Sequence, residues 1–274
     1  MKSITETTTL NNGVKMPWLG LGVYKAEDGN EVAEAIKEAV RVGYRSIDTA
    51  SVYKNEEGVG QAIHEIDVPR EDLFITTKVW NDQQGYEETL KAFEESRQKL
   101  GVEVVDLYLV HWPVTGKFLD TWKALEKLYK DGKVRAIGVS NFKVHHLEAL
   151  LKEAKVVPVV NQVEYHPLLT QPELHNYCKE KGIQLEAWSP LTRGRIFEDK
   201  RLTAMSEKYG KTPAQIILRW DLENEVVTIP KSVTPSRIQA NAEIFDFQLE
   251  REDVEKLNSM NQNHRFGADP DEFV

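Results

Sequence analysis

Asp48, Lys78 and His111 each come at the end of a short apolar segment of this sequence. The spacing from one to the next is about 30 residues, close to the length of one strand–helix unit. Tyr53 lies in the polar stretch that follows Asp48. If the apolar segments are parallel strands, all four side chains meet at one rim of the sheet, where barrel enzymes carry their catalytic groups.

A phenol, an ammonium, a carboxylate and an imidazole at one rim could protonate a carbonyl oxygen while hydride reaches its carbon. A free tyrosine has a pKa of about 10, which is too high for ready ionisation near neutral pH. A nearby Lys78 ammonium would favour the phenolate and lower the pKa of Tyr53. Asp48 would pair with Lys78, and His111 would orient the carbonyl and help the proton move. The four residues therefore predict a carbonyl reductase with Tyr53 as general acid.

The segments that must position these residues alternate with amphipathic helix patterns. Eight short apolar runs, each bounded by polar residues, are typical of buried parallel strands. The runs are residues 19–22, 46–48, 74–78, 106–110, 136–140, 159–163, 184–188 and 226–229. Helices are predicted over residues 31–42, 86–100, 118–129 and 214–222, the last one opened by Thr212-Pro213.

Eight strands alternating with helices are typical of a closed barrel or of a doubly wound sheet. A doubly wound dinucleotide-binding sheet usually carries Gly-x-Gly-x-x-Gly after its first strand. Gly20 and Gly22 lack the third glycine, and Gly58 and Gly60 have Ile63 in its place. The sequence therefore favours the α/β class, as a (β/α)8 TIM barrel.

The N-terminus predicts a β-hairpin, because residues 7–10 and 14–16 flank the turn residues Asn11-Asn12-Gly13. No shift in composition and no Pro/Gly/Ser-rich linker divides the chain. We therefore expect one domain spanning residues 1–274.

The net charge of −9 gives the chain no general attraction for nucleic acid or anionic lipid. Cys178 is the only cysteine, which excludes an internal disulfide and fits a reducing compartment. No run approaches the roughly 18 apolar residues that span a bilayer, and the N-terminus lacks the pattern of a signal peptide. We expect a cytoplasmic monomer that binds neither nucleic acid nor membrane.

We expect no metal site. His145 and His146 are adjacent, so on a helix their side chains would point apart, and no third ligand is evident near them in the sequence.

Long segments of the chain resemble signatures of the aldo-keto reductase superfamily. They are residues 43–50 (GYRSIDTA), 106–113 (DLYLVHWP), 138–142 (GVSNF), 161–164 (NQVE) and 229–232 (IPKS), in the order that the family has them. The resemblance implies a (β/α)8 barrel and NADPH as the cofactor. It also implies a catalytic tetrad of Asp48, Tyr53, Lys78 and His111, in which Tyr53 protonates an aldehyde or ketone that accepts hydride.

The resemblance further implies which residues bind NADPH. They are Gly22, Val23, Ser140, Asn141, Gln162, Trp188, Ser189, Leu191, Lys231, Ser232, Val233, Thr234, Arg237 and Asn241. Of these, Ser140, Asn141 and Gln162 match the positions that hold the nicotinamide carboxamide. Trp188 matches the aromatic ring that stacks on the nicotinamide.

The segment from Lys231 to Arg237 matches the family's pocket for the adenosine 2′-phosphate. Two cations with neighbouring hydroxyls make a local anion site on an acidic chain. One position departs from the family pattern, because Ala240 stands where a glutamate often precedes Asn241. That departure removes an expected contact with the adenine.

Tyr24, Trp80 and Trp112 follow predicted strands, and with His111 they are expected to line the substrate pocket. A mainly apolar pocket tolerates many substrates, because apolar contacts separate them by only about 1–3 kcal/mol per methylene. Within the superfamily the chain is most similar to bacterial glyoxal and methylglyoxal reductases, and next to 2,5-diketo-D-gluconate reductases. We expect small dicarbonyls and aldehydes as substrates, and a tail over residues 264–274 that folds across the pocket.

Three alternatives remain open at this level. A reductase of sugar ketones would use the same four residues. A glycosidase could pair Glu164 with Asp48 as its two carboxylates, but Lys78 and Tyr53 would then have no role. A protein of this superfamily could also bind NADPH without turnover, as a sensor or a structural protein.

Overall fold

The computed structural model describes residues 1–273, and an eight-stranded parallel sheet forms its centre. The strands are β1 (Thr7–Thr9), β2 (Lys15–Pro17), β3 (Gly20–Gly22), β4 (Ser46–Asp48), β5 (Phe74–Val79), β6 (Val105–Val110), β7 (Val134–Ser140), β8 (Val160–Glu164), β9 (Gln184–Trp188) and β10 (Val227–Thr228). The helices are α1 (Asn30–Arg41), α2 (Glu56–Glu65), α3 (Tyr86–Leu100), α4 (Phe118–Lys130), α5 (Val144–Glu153), α6 (Pro172–Glu180), α7 (Lys200–Tyr209), α8 (Pro213–Glu223), α9 (Pro235–Ala242) and α10 (Arg251–Asn258).

Strands β3 to β10 pair in chain order, and every pair is parallel. The first and last strands also meet, because the Thr228 amide donates to the Trp18 carbonyl at 3.0 Å and the Gly22 amide donates to the Pro230 carbonyl at 3.2 Å. The sheet is therefore a closed barrel with helices between its strands. The predicted (β/α)8 fold is confirmed, and each predicted strand lies within two residues of the observed one.

The predicted N-terminal hairpin is present as the antiparallel pair β1–β2. Leu10 and Met16 from this hairpin pack against Phe74, Leu107 and Val160 in the barrel interior. The hairpin thereby closes the amino-terminal end of the barrel with an apolar layer. The polar side chains of the barrel interior therefore lie towards the opposite, carboxyl-terminal end.

Alternation along the strands separates two environments. In β4, Ile47 points into the larger cluster between barrel and helices, whereas Asp48 points into the barrel. The helices cover the outer face with apolar side chains, and α8 begins with the predicted cap, in which Gln215 N donates to Thr212 Oγ1 at 3.2 Å. Cys178 is fully buried in the outer cluster, and burial raises the pKa of its thiol to about 12. This cysteine is structural.

The chain beyond α10 crosses the carboxyl end of the barrel. The amides of Phe266 and Gly267 donate to the Glu164 carboxylate at the end of β8. Farther on, the Phe273 ring packs on Trp112 with centroids 4.3 Å apart, beyond the end of β6. The tail over residues 264–273 therefore lies across this rim, as the sequence predicted, and Val274 lies outside the described residues. None of the helices in residues 1–273 is long and apolar enough to cross a membrane.

Candidate active site

Lys78 links three of the four predicted catalytic residues. Its ammonium donates to Asp48 Oδ1 at 2.6 Å and to the Thr49 carbonyl at 2.9 Å, and it lies 3.4 Å from the Tyr53 hydroxyl. Lys78 and Asp48 are almost completely buried. The two side chains therefore form a buried ion pair inside the barrel, next to the Tyr53 phenol.

A short 3-10 turn, Ser51–Tyr53, places the phenol above the ammonium. Ser51 Oγ donates to the Lys78 carbonyl at 3.1 Å, which ties the turn to β5. The buried Asn55 side chain donates to the carbonyls of Val23 and Ala26, so it joins the loop after β4 to the loop after β3. Local hydrogen bonds on both sides therefore hold Tyr53 in place.

His111 stands on the other side of the phenol, with ring centroids 5.8 Å apart and an edge-to-face orientation. Burial and the Lys78 charge hold the pKa of His111 well below its usual value near 6.5. Its Nδ1 has no hydrogen-bond partner among residues 1–273. The imidazole is therefore neutral near pH 7 and carries one N–H that can face a ligand.

The predicted decrease in the pKa of Tyr53 is wrong in its net direction. Burial of the hydroxyl raises the pKa of Tyr53, and the Lys78 charge, which acts as expected, only partly offsets it. Burial also tends to lower the pKa of Lys78, but Asp48 and Tyr53 outweigh it and the pKa is raised. The site therefore holds a protonated phenol next to a permanent ammonium.

The predicted carboxamide contacts lie together beside this tetrad. Ser140 Oγ donates to the Gln162 carbonyl at 2.8 Å, and Asn141 Nδ2 donates to the His111 carbonyl at 3.0 Å. Trp188 Nε1 donates to Asn141 Oδ1 at 2.8 Å, while the indole stays partly exposed. These bonds fix polar side chains and one aromatic face at the edge of the barrel mouth.

Two residues near this edge have left-handed backbone, Asn141 with φ of 63° and Ser189 with φ of 52°. Asparagine tolerates this region, but serine adopts it at a cost. Such strain occurs where a loop must present its backbone to a ligand. Leu191 follows in the same loop and is partly buried.

The predicted phosphate pocket lies between the end of β10 and the start of α9. Ser232 Oγ accepts the Thr234 amide at 3.1 Å, which shapes the turn that precedes the helix. Lys231 and Arg237 are exposed, and neither has a carboxylate within 4 Å among residues 1–273. Unpaired cations at a helix N-terminus suit an anion.

The other predicted cofactor positions border this pocket. Gly22 lies against the last strand, so closely that a Cβ there would stand 2.8 Å from the Ile229 carbonyl oxygen. Val23 is buried, and its amide donates to the Asp48 carbonyl. Val233 is half-buried in the turn and Asn241 is buried in α9.

Aromatic rings surround the open side of the tetrad. The half-exposed Tyr24 lies 5.0 Å from Tyr53, and Trp80 lies 5.0 Å from His111, as ring-centroid distances. Trp112 is buried, because Phe273 of the tail covers it. The three predicted pocket residues therefore lie around Tyr53 and His111, and the tail adds an aromatic ring that the sequence had not identified.

Glu164 does not face the tetrad as a glycosidase carboxylate would. It is fully buried, and its oxygens accept the amides of Phe266 and Gly267 and lie 2.9 Å from His166 Nε2. Burial opposes ionisation, but these hydrogen bonds keep the pKa of Glu164 below its usual value. Its role is to anchor the tail.

Glu186 is a further buried acid near the tetrad, and it was not among the predicted site residues. Its carboxylate lies beside Gln162, whose amide donates to Glu186 Oε2 at 2.9 Å and to Asp48 Oδ2 at 2.7 Å. The sequence did contain a signal for it. Side chains alternate between the two faces of β9, so Glu186 lies on the same face as Trp188.

The expectation that His145 and His146 point apart is also wrong. Their ring centroids are 4.0 Å apart, and Asp271 of the tail lies 3.0 Å from one Nε2 and 3.5 Å from the other. They lie in the first turn of α5, where the Lys143 amide donates to His146 Nδ1. The neutral His146 ring therefore carries its proton on Nε2, towards Asp271, and Lys143 Nζ lies 2.6 Å from the same carboxylate. Asp271 also stands where a third metal ligand could, so the expectation that no third ligand lies near the two histidines is wrong.

Fold and site together define an oxidoreductase built on a closed (β/α)8 barrel. Residues 18–262 match the sequence model of the aldo/keto reductase family, so the chain belongs to that family.

The chain is similar to curated proteins over almost its whole length. Glyoxal reductase of Bacillus subtilis (strain 168) is 60% identical over 272 residues, 99% of this chain and 99% of that protein. Methylglyoxal reductase DkgA of Salmonella typhimurium is 49% identical over 268 residues, 96% of each. A solved structure, an Asp-to-Ala variant of Gox0644 in complex with NADPH, superimposes with a TM-score of 0.92, 45% identity and 97% coverage of both chains.

Proposed function

We propose that this protein reduces small aldehydes and ketones, dicarbonyls among them, with NADPH as the hydride donor. The observation that carries the proposal is the hydrogen-bonded sequence from Asp48 through Lys78 to the Tyr53 hydroxyl, with a neutral His111 beside it. This set supplies a proton donor, a charge that stabilises its conjugate base, and a hydrogen-bond donor for the carbonyl oxygen. The relatives named for glyoxal and methylglyoxal support dicarbonyls as the substrate class.

In the proposed mechanism Tyr53 donates its proton to the substrate oxygen. The Lys78 ammonium stabilises the phenolate that remains, and Asp48 keeps this ammonium charged and in position. The His111 N–H donates a hydrogen bond to the same oxygen and thereby orients the carbonyl. Bound NADPH supplies the hydride to the carbonyl carbon, so that the products are an alcohol and NADP⁺.

The side chains around the barrel mouth fit this cofactor. Lys231 and Arg237 are cations without a partner carboxylate in residues 1–273, although the chain as a whole is acidic. Gln162 donates both amide protons to the carboxyl groups of Asp48 and Glu186. Its Oε1 is therefore left to accept a hydrogen bond from a carboxamide. Trp188 offers a partly exposed face for stacking. Ser140, Asn141, Ser189 and Leu191 complete the nicotinamide end of the proposed site.

Tyr24, Trp80, Trp112 and His111 bind the carbonyl substrate in this proposal. These walls are mainly aromatic, which favours small and weakly polar carbonyls over polyhydroxylated sugars. A 2,5-diketo-gluconate type of reductase is the second candidate, because it would use the same tetrad. An NADPH-binding protein without turnover is the third, and the complete tetrad argues against it.

We further propose that a single domain, residues 1–274, carries both sites, and that the protein acts as a cytoplasmic monomer without nucleic acid or membrane partners. The net charge of −9 supports the absence of nucleic acid. Light scattering coupled to size exclusion tests the oligomeric state, and a mass of twice the chain would contradict it.

The function is tested by following NADPH oxidation with a panel of aldehydes, ketones, glyoxal, methylglyoxal and 2,5-diketo-D-gluconate. We expect turnover with the dicarbonyls and slower turnover with the sugar ketone. Turnover of the sugar ketone alone would favour the second candidate. NADPH binding without turnover of any carbonyl would support the non-catalytic candidate and reject the proposal.

A further inference from the structure

The barrel interior near Tyr53 holds the Lys78 cation together with two acids, Asp48 and Glu186. Lys78 pairs with Asp48, and Glu186 lies one strand beyond Gln162 with 1% of its surface exposed. Neither NADPH nor substrate reaches Glu186 in the proposed mechanism, so a buried titratable group remains without a role. Burying such a group is costly unless its environment uses it.

Gln162 connects the two acids. Parallel pairing of β8 and β9 places Gln162 directly beside Glu186. The amide nitrogen donates one proton to Asp48 Oδ2 at 2.7 Å and the other to Glu186 Oε2 at 2.9 Å. Because the ionised Asp48 carboxylate only accepts, the reversed amide would aim Oε1 at Asp48 and lose that hydrogen bond. Asp48 therefore sets the orientation of Gln162, and Glu186 accepts the second amide proton in that orientation.

The charge state of Glu186 follows from its surroundings. Burial, and next the charge of Asp48, raise the pKa of Glu186 to about 8, while Gln162 and Lys78 act in the opposite direction. On the other side of β9, strand β10 pairs Val227 with Glu186 and contributes no titratable group. Glu186 Oε1 has no hydrogen-bond partner within residues 1–273, in keeping with an uncharged carboxyl. Lys78 and Asp48 then form a neutral pair.

We propose that Glu186 is a positioning residue that, in its uncharged form, holds the Gln162 amide and through it the Asp48–Lys78 pair. This inference rests on the proposed function, because Gln162 and Lys78 act on NADPH and Tyr53. With Glu186 uncharged, Asp48 is the carboxylate that pairs with Lys78, and the ammonium can stabilise the Tyr53 phenolate. When Glu186 loses its proton, a second anion opposes the phenolate and reduction slows.

Two substitutions of Glu186 separate the effect of its hydrogen bond with Gln162 from the effect of its negative charge. Glu186→Gln keeps an acceptor for the Gln162 amide and removes the ionisation. Glu186→Met has similar volume but removes the acceptor, which leaves one amide proton buried without a partner. Glu56→Gln is the matched control, because Glu56 is also buried with a raised pKa, yet it accepts from Thr77 on the outer side of the barrel.

The experiment measures kcat from pH 6 to pH 9 with a non-enolisable aldehyde, which is stable in alkali, and NADPH Kd by tryptophan fluorescence. We expect the wild type to lose kcat by up to about tenfold between pH 7 and pH 9, the limit for one group with a pKa near 8 whose ionised form does not turn over. Glu186→Gln should keep its kcat over that range, whereas Glu56→Gln should follow the wild type. Glu186→Met should show, at pH 7, a kcat lower and an NADPH Kd higher by about tenfold.

Each of two outcomes overturns the proposal. One is an alkaline decrease in Glu186→Gln that matches the wild type. The other is a folded Glu186→Met with wild-type kcat and Kd at pH 7. Circular dichroism identifies a variant that does not fold. If Glu186→Met does not fold, the pH profile of Glu186→Gln alone tests the proposal. Loss of the proposed function is distinguishable, because the wild type would then turn over no carbonyl at any pH.

Discussion

At the scale of single residues, protonation states assign the roles within the tetrad. His111 is uncharged near pH 7, because burial and Lys78 hold its pKa far below the usual value. It can donate a hydrogen bond, but it has no imidazolium proton to transfer. Tyr53 keeps its proton and lies 3.4 Å from an ammonium that would stabilise its phenolate. In the proposed mechanism the acid is therefore the phenol, and the imidazole orients the carbonyl.

Tyr53→Phe tests this assignment. The substitution removes the acid and leaves the cofactor groove intact, so kcat should fall by about a hundredfold or more while NADPH Kd stays within about twofold. Steady-state kinetics and a fluorescence titration with NADPH measure the two quantities. Tyr108→Phe is the control, because it removes a buried hydroxyl that has no hydrogen-bond partner in the described chain. An unchanged kcat in Tyr53→Phe would refute the assignment.

Arg237→Ala tests the proposed 2′-phosphate contact. A charge-assisted hydrogen bond contributes about 1.5–3 kcal/mol, so KM for NADPH should rise at least about tenfold. KM for NADH should change little, since NADH lacks the phosphate. Arg251→Ala on α10 is the control, because Arg251 is exposed and already paired with Glu255. Equal effects on the two cofactors would exclude this role for Arg237.

At the scale of elements, the tail is held at both ends of its path across the barrel mouth. Glu164 at the end of β8 accepts its first backbone amides. Lys143, in front of α5, pairs with Asp269 and Asp271 near its end. At the first of these anchors Gly267 also approaches the Trp188 ring. The tail therefore shares a wall with the proposed nicotinamide site.

Gly267→Ala should disturb that wall. A Cβ at this position would stand 2.5 Å from the Trp188 ring and 3.0 Å from Glu164 Oε2, so the ring or the tail must move. Overpacking typically costs about 1–3 kcal/mol, and we expect NADPH Kd to rise about tenfold. Fluorescence titration measures it, with the exposed Ala268→Ser as control. A wild-type Kd would mean either that the tail moves and the indole stays in place, or that the indole is not part of the cofactor site.

The strands and helices could be predicted from the sequence wherever neighbouring residues in the chain determine them. Short apolar runs with polar ends predicted all eight barrel strands, and the polar residues after them predicted that Asp48, Lys78 and His111 converge. The net pKa shift of Tyr53 was not predictable, because it depends on burial by distant segments. The neighbours of Glu186 and of His146 also come from elsewhere in the chain, from β8 and from the tail. Only the closed barrel brings these groups together.

At the scale of the whole molecule, acids outnumber bases, with 44 Asp and Glu against 35 Lys and Arg. Fewer than half of the exposed Lys and Arg residues in positions 1–273 pair with carboxylates, and such surface pairs contribute little to stability. Buried histidines matter more for the pH dependence of folding. Burial lowers the pKa values of His111, His146 and His175, so these rings are neutral in the folded protein.

The free energy of unfolding should fall when the pH drops below about 6.5. An unfolded histidine gains its proton near pH 6.5, whereas folded His146 gains it only at about pH 4. The unfolded state therefore binds more protons between these values, and stability that is complete above pH 6.5 is lost as the pH falls. For His146, whose side chain is 11% exposed, the loss at pH 5 is about 2 kcal/mol. Urea unfolding at pH 7, 6 and 5 measures it.

His146→Gln isolates this contribution, because glutamine at the same helix position can still accept the Lys143 amide but does not titrate. The variant should lose about 2 kcal/mol less than the wild type between pH 7 and pH 5, and the exposed His264→Gln should lose as much as the wild type. Equal losses in all three proteins would show that His146 is protonated in the folded state by pH 5. Its ring would then have to lie open to water, away from the contacts with Phe142 and Phe118 that bury it.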